Sequence, residues 1–198
     1  METQLRLDCK EIKDLLKNKV NLVIEYCTDT ESPREWDNLG TMITRHSRYS
    51  LGDNYEHRYM VDIEEELKEL DLLVKMPLYL YDHSGISMSC VRSYPYNCRW
   101  DSMHLGFIYV EKEKVRKEFN VKRISKKLKE RVMELLEGEV DTYSSYISGD
   151  VYSYSLIDIL TGEDLDSCCG FYGNNPKENG MLDHINLNNY EIVKTIYK

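Results

Sequence analysis

Pro77-Leu78-Tyr79-Leu80-Tyr81-Asp82-His83-Ser84-Gly85-Ile86-Ser87-Met88-Ser89-Cys90-Val91 decides the fold. Pro77 opens an apolar and aromatic run, Leu78 to Tyr81, that reads as a strand. Asp82 to Gly85 supplies turn residues, and Ile86 to Val91 returns as the next strand. That is a β-hairpin with His83 and Ser84 at its tip, so part of the sheet is antiparallel.

Outward from the hairpin, Gly106 to Val110 reads as a further strand, after a loop over residues 92–102 broken by Pro95 and Asn97. Two helices follow. The first spans Lys112 to Phe119. The second is capped or opened by Ser125 and carries Leu128, Val132, Leu135, Leu136, Val140, Tyr143 and Ile147 as one apolar stripe. Gly138 interrupts that stripe at a cost of about 1 kcal/mol relative to Ala. Val151 to Leu160 alternates as a strand after a stop at Gly149. Thr161 to Asp164 turns, and Asp166 to Gly173 reads as a short strand or bend. For Tyr190 to Tyr197 the periodicity does not choose between strand and helix. Toward the start, residues 61–72 form an acidic helix with Ile63, Leu67 and Leu70 inward. Residues 47–60 form an exposed connection, and Gly40 to Arg45 is β-rich. Val20 to Tyr26 is a mostly buried strand. Residues 9–18 form a short amphipathic helix with Asp8 as its cap. Strands and helices without a regular βαβ rhythm indicate an α+β fold, a mainly antiparallel sheet packed with helices. At 198 residues, one domain over 1–198 is expected.

The net charge of −9 argues against general binding to nucleic acid backbones. Its distribution is uneven. Residues 111–130 hold nine Lys/Arg and four Asp/Glu, a net of +5 that leaves −14 for the rest. Residues 62–71 hold six acids and one Lys; an acidic surface beside one basic helical patch suits a protein partner or mimicry of nucleic acid, although such runs are most often solvated helix faces. Tyr outnumbers Phe by 16 to 3, which fits half-buried sheet faces or a wet recognition surface. No window approaches 18 apolar residues, and Met1 to Arg6 lacks the apolar core of a signal peptide. The expectation is a cytoplasmic protein with no membrane contact and with its six cysteines reduced. No CxxC pair exists; a zinc site from Cys90, Cys98 and His104 is the one set worth checking.

Three loops concentrate chemically capable side chains: Ser32 to Asn38, Tyr81 to Gly85, and Arg99 to His104. Both tryptophans, Trp36 and Trp100, sit there, each directly before an Asp. Trp and His are poor turn formers, so these loops form the candidate ligand-binding site. Its members are Arg34, Trp36, Asp37, Arg45, His46, Arg48, His83, Trp100 and Asp101. Asp82-His83-Ser84 has the order of a triad, but neighbours in a tight turn do not converge on one point. HExxH, GxxxxGK[ST] and GxSxG are all absent. No catalytic residue and no cofactor is therefore assigned.

The run Pro33-Arg34-Glu35-Trp36-Asp37-Asn38-Leu39-Gly40-Thr41-Met42 resembles a known family, as does Pro77 to Gly85. The likeness continues through Trp100-Asp101-Ser102, Gly106 to Val110, Gly149-Asp150-Val151-Tyr152 and Asp166-Ser167-Cys168-Cys169-Gly170-Phe171-Tyr172-Gly173. The family is carried by bacteriophages, prophages and plasmids of gut and other Gram-positive bacteria, and the resemblance covers roughly residues 20 to 185. A Trp often stands there where Cys169 stands here, and the loop at 90–98 varies in cysteine content, which removes support from a metal site. The resemblance lends no activity. It implies an accessory protein of a mobile element, in the cytoplasm of a host bacterium, among proteins many of which counter host defences. Three functions follow as expectations. The first is non-catalytic inhibition of a host immune protein, as a monomer or an oligomer. The second is sequestration of a nucleotide-derived immune signal, with Trp36 and Trp100 stacking a base and Arg34, Arg45 and Arg48 holding phosphates. The third is a metal-dependent hydrolase using Asp37, His46, Asp82, His83, Asp101 and His104.

Overall fold

The structure is a computed structural model that describes residues 17–54, 59–90, 98 and 100–198. Residues 9–16 of the expected helix with its Asp8 cap, the breakers Pro95 and Asn97, and Arg99 lie outside them, and Asn18, the expected end of that helix, opens a strand instead. Among the described residues there are eight strands and four helices. In chain order they are β1 (Asn18–Tyr26), β2 (Thr41–Thr44), α1 (Met60–Lys68), β3 (Leu72–Asp82), β4 (Ile86–Ser89), β5 (Ser102–Glu111), α2 (Lys112–Glu118), α3 (Lys126–Ser148), β6 (Val151–Asp158), β7 (Asp164–Tyr172), α4 (Met181–His184) and β8 (Tyr190–Tyr197). A 3-10 turn, Pro33–Glu35, precedes β2. The fold is α+β with mainly antiparallel strands, as the sequence indicates. The strands form two four-stranded sheets rather than one. No helix among the described residues is long and apolar enough to cross a membrane.

The chain groups into two compact units, a terminal one (1–30 and 149–198) and a central one (31–148). The terminal unit carries the sheet β7-β6-β1-β8. β1 pairs antiparallel with β6 (Val23↔Ser155) and parallel with β8 (Val20↔Ile192). That pairing settles Tyr190–Tyr197 as strand, and pairing with β6 settles the strand-or-bend segment as β7. Val20, Leu22, Ile24, Tyr154, Leu156 and Phe171 fill one face with Met181 and Ile185. β6 ends at Asp158, whose carboxylate accepts the N–H groups of Leu160 (2.7 Å) and Thr161 (2.8 Å). These bonds hold its pKa below the usual carboxylate value.

The central unit carries the sheet β2-β5-β3-β4. Its two faces are both covered. α3 and α2 pack on one face through Val132, Leu136, Val140, Tyr143 and Val115, against Leu78, Leu80, Leu105 and Ile108. α1 covers the other through Ile63 and Leu67, against Ile43 and Phe107. Ser125 opens α3 as expected, its hydroxyl accepting the Leu128 N–H at 3.1 Å. Leu135 departs from the expected stripe and is exposed.

Three boundaries differ from the sequence reading. β3 begins at Leu72, so the acidic helix stops at Lys68 and Pro77 stands inside a strand. Pro77 pairs with Phe107 on the β5 side, while β4 reaches only Tyr79 to Asp82 on the other. A strand flank without a ladder tolerates a residue that lacks an N–H. β5 begins at Ser102, so Ser102, Met103 and His104 belong to the strand rather than the loop, paired with Tyr81, Leu80 and Tyr79. β6 ends at Asp158, two residues before Leu160.

Gly106 makes that long β5 feasible. The β3·β5 register shifts between Leu78 and Tyr79, opposite Gly106 and His104. A Cβ on Gly106 would lie 2.0 Å from the Ile43 carbonyl oxygen and 2.9 Å from Thr44 Cα. Both obstacles are backbone, so neither can rotate away. Gly106→Ala is therefore expected to destabilise the protein by about 3 kcal/mol or more, because β2 must move off β5. Urea denaturation measures this, and a midpoint equal to wild type would show that β2 does not approach Gly106 so closely.

Candidate functional site

β5 is the central ruler of the site. β2 pairs with it antiparallel, Thr44↔Gly106, and β3 does the same, Tyr81↔Ser102. The segments that follow Thr44 and Tyr81, and the segment that precedes Ser102, therefore meet at one end of the sheet. Backbone bonds seal the junction: Arg45 N–H to the Leu105 carbonyl (2.8 Å) and Asp82 N–H to the Asp101 carbonyl (2.8 Å). Of the nine expected residues, this brings together Arg45, His46, Arg48, His83, Trp100 and Asp101. His46, Arg48, Asp82, Trp100, Asp101, Ser102 and Met103 line a shallow pocket of about 150 Å³.

The polar groups here are engaged with one another. Arg48 forms an ion pair with Asp82 and lies over the Tyr49 ring, 5.2 Å from its centroid. His83 Nδ1 stands 3.4 Å from the Asp101 carboxylate, which also accepts from the Cys98 thiol at 3.3 Å. His46 stacks on Tyr49 at 4.8 Å, and its Nδ1 accepts the N–H groups of Arg48 (3.0 Å) and Tyr49 (3.1 Å). An Nδ1 used as acceptor places the proton on Nε2, so neutral His46 presents a donor outward and not a base. Burial, then Arg48 and Arg45, hold its pKa below the usual imidazole value against the pull of Asp82. Asp82 turns to Arg48 and His83 to Asp101, so Asp82-His83-Ser84 forms no relay. Ser84 serves the turn, with φ of 58°. Trp100 stands apart from this paired network: it is 96% exposed.

Arg34, Trp36 and Asp37 are not part of this site. They lie before β2, and β2 runs from their end of the sheet to the other, about 13 Å at 3.3 Å per residue. Trp36 and Asp37 are exposed there. The expectation that Arg34 offers a cation to a ligand is corrected. Its side chain is only 6% exposed. Nε and Nη2 donate to Asp53 (2.8 and 2.6 Å), Nη2 also to the Gly40 carbonyl (2.8 Å), and Nη1 to Glu139 (3.1 Å). Asp53 and Glu139 keep the guanidinium charged against its burial. The two tryptophans thus do not stack on one ligand.

The zinc set is corrected as well. Cys90 packs on the α3 face of the sheet, while His104 sits on the α1 face, its ring edge-on to Phe107 at 4.9 Å. Burial, then Glu137 and Asp141, push the Cys90 thiol up to about 11. Among the described residues, no three of His, Cys, Asp and Glu are grouped to hold a metal ion. Ser102 and Met103 are pocket residues that the sequence reading missed. The signal would have been the pairing of Tyr81 with Ser102, which turns the loop reading of residues 102–104 into strand. The chain matches no protein-family model, no curated protein and no solved structure.

Two measurements follow. Arg34→Ala leaves Asp53 and Glu139 partly buried without their cation and is expected to cost about 3 kcal/mol, read by urea denaturation. An unchanged midpoint would mean that the cluster is solvated and replaceable. The second is a pH profile. Burial lowers the His104 pKa against a hydrogen bond to the Gly106 backbone, and its Nε2 is buried with no partner among the described residues. His46 shifts the same way. As pH falls through about 6.5, the unfolded chain binds these protons before the folded one does. Stability is therefore complete above that pH and declines below it. Tm is expected to fall as pH drops below about 6.5, and His104→Phe to flatten the slope; a His104→Phe profile parallel to wild type would remove His104 as the cause.

Proposed function

We propose that this protein acts without catalysis, by binding a folded partner protein through the Trp100 surface of its central unit. The partner class we propose is a host bacterial defence protein, and the chain an accessory product of a bacteriophage or other mobile element, acting in the host cytoplasm. The observation that carries the binding reading is the 96% exposure of Trp100 on the rim of a shallow, internally paired pocket. A large aromatic ring left in water has most of its apolar area still to bury. Trp and Arg are the side chains most often found at the energetic centre of protein interfaces. Arg48, which lines the same pocket as Trp100, is already held by Asp82, and His83 by Asp101, so both are ordered before binding.

The small volume of the Trp100 pocket supports this reading over a small-molecule site at that place. Small-molecule sites usually enclose about 300–1,000 Å³, whereas this one holds about 150 Å³. A nucleotide-derived signal would lie largely outside it, gripped by the His46–Tyr49 stack, the exposed Trp100 ring and an Arg48 already paired with Asp82. A hydrolase would need a free base, and His46 Nδ1 and Asp82 are both occupied.

Native mass spectrometry of the protein recovered from defence-active bacteria tests the reading. A host protein is expected to co-purify in a fixed ratio. Trp100→Ala is expected to weaken that complex by about thirtyfold, roughly 2 kcal/mol, with Tm unchanged because the ring is exposed. Trp36→Ala is expected to leave it intact. A bound small molecule of a few hundred daltons, with no protein, would instead favour signal sequestration.

A further inference from the structure

α3 carries its charges in the order opposite to the one its own dipole favours. Lys126, Lys127, Lys129 and Arg131 lie in its first two turns, and no acid stands in the first turn. Glu134, Glu137, Glu139 and Asp141 follow after them, and no base stands in the last turn. A helix is stabilised by acids at its N-terminus and bases at its C-terminus. Glu130 answers Lys126 along the helix at 3.7 Å, and Glu139 is taken by Arg34. Glu134 and Asp141 meet no cation in an ion pair among the described residues. Asp141 is nonetheless desolvated enough for burial alone to raise its pKa.

The outer face of the same helix holds two more features that the described residues do not explain. Leu135 is 41% exposed, although it belongs to the apolar set of the helix. Gly138 lies in the helix interior, where glycine is disfavoured. A Cβ there would meet nothing within 4 Å among the described residues, and no unusual backbone angle requires glycine. Lys127, Arg131, Glu134, Gly138 and Asp141 recur at spacings of four and three on one face, and Leu135, four after Arg131 and three before Gly138, stands at its edge.

We propose that this face binds the same face of a second copy of the chain, with the two α3 helices antiparallel about a two-fold axis between Leu135 and Gly138. In that register Leu135 meets the partner's Gly138, and the missing side chain lets the helix axes approach closely. Arg131 meets the partner's Asp141. Both contacts occur twice, because a two-fold interface is self-complementary. The reversed charge order, unfavourable in one helix, is what makes two antiparallel copies complementary. A second copy fits better than an external polyanion, because an anion would satisfy the basic half and be repelled by Glu134 and Asp141. One helix face buries less than the roughly 800 Å² per partner of a stable interface, so the dimer is concentration-dependent.

The inference is independent of the Trp100 surface. Analytical ultracentrifugation of the full chain over a wide concentration range tests it. The expected result is a reversible monomer–dimer equilibrium that weakens as salt rises. Gly138→Leu is expected to abolish the dimer while preserving the fold, since no described residue occupies that space. Asp141→Arg is expected to weaken association by about tenfold through its two symmetry-related pairs, and Arg131→Glu with Asp141→Arg to restore it. A chain that stays monomeric throughout overturns the proposal. So does a dimer that survives both Gly138→Leu and Asp141→Arg, because its interface then lies elsewhere.

Discussion

The Arg34 guanidinium is the constraint on which the central unit depends. A buried charge is tolerated only when it is paired and its N–H groups are bonded. Here one planar group joins four segments: the 3-10 turn that carries it, the Gly40 carbonyl, Asp53 after β2, and Glu139 on α3. Its partners extend the network. Asp53 accepts the Met42 N–H at 2.7 Å, and Glu139 accepts those of Leu39 (2.8 Å) and Gly40 (3.1 Å). A strand of four residues is thereby tied to α3 on one side and to β5 on the other. Lysine, with a point charge and three donors, would not span this set in the same plane.

The two ends of that short strand show how burial assigns different roles to the same residue type. Arg34 is enclosed and structural; Arg48 has an exposed side chain paired with Asp82. Close approach of backbones at Gly106 lets β2 lie against the Gly106–Tyr109 stretch of β5, and this gathers the His46, His83 and Trp100 segments. The candidate surface is thus a consequence of sheet register, with the clamp at the other end holding β2 in place.

Much of the fold was legible in local pattern. The hairpin at Asp82 to Gly85, the cap at Ser125 and the stripe Val132, Leu136, Val140, Tyr143 follow from turn chemistry and helical period alone. Strand ends were less legible. Pro77 reads as a strand opener because proline breaks ladders, yet the flank it faces carries none at that point. Tyr190 to Tyr197 could not be assigned from period, because a parallel edge strand such as β8 alternates only weakly in burial. Among the site residues, six of nine converge, and the reason lies in pairing partners that are distant in the chain.

The sequence by itself determined the residue types, the α+β class, the antiparallel hairpin and the inward face of α3, since each depends on neighbours within a few positions. Only the tertiary structure decided that Arg34 is a clamp and Arg48 a surface group. It also separated Trp36 from Trp100 and put Cys90 and His104 on opposite faces of one sheet. These outcomes depend on long-range register and on burial. Both are set by contacts such as Arg34 with Glu139 and Gly106 with Ile43, which no local pattern encodes.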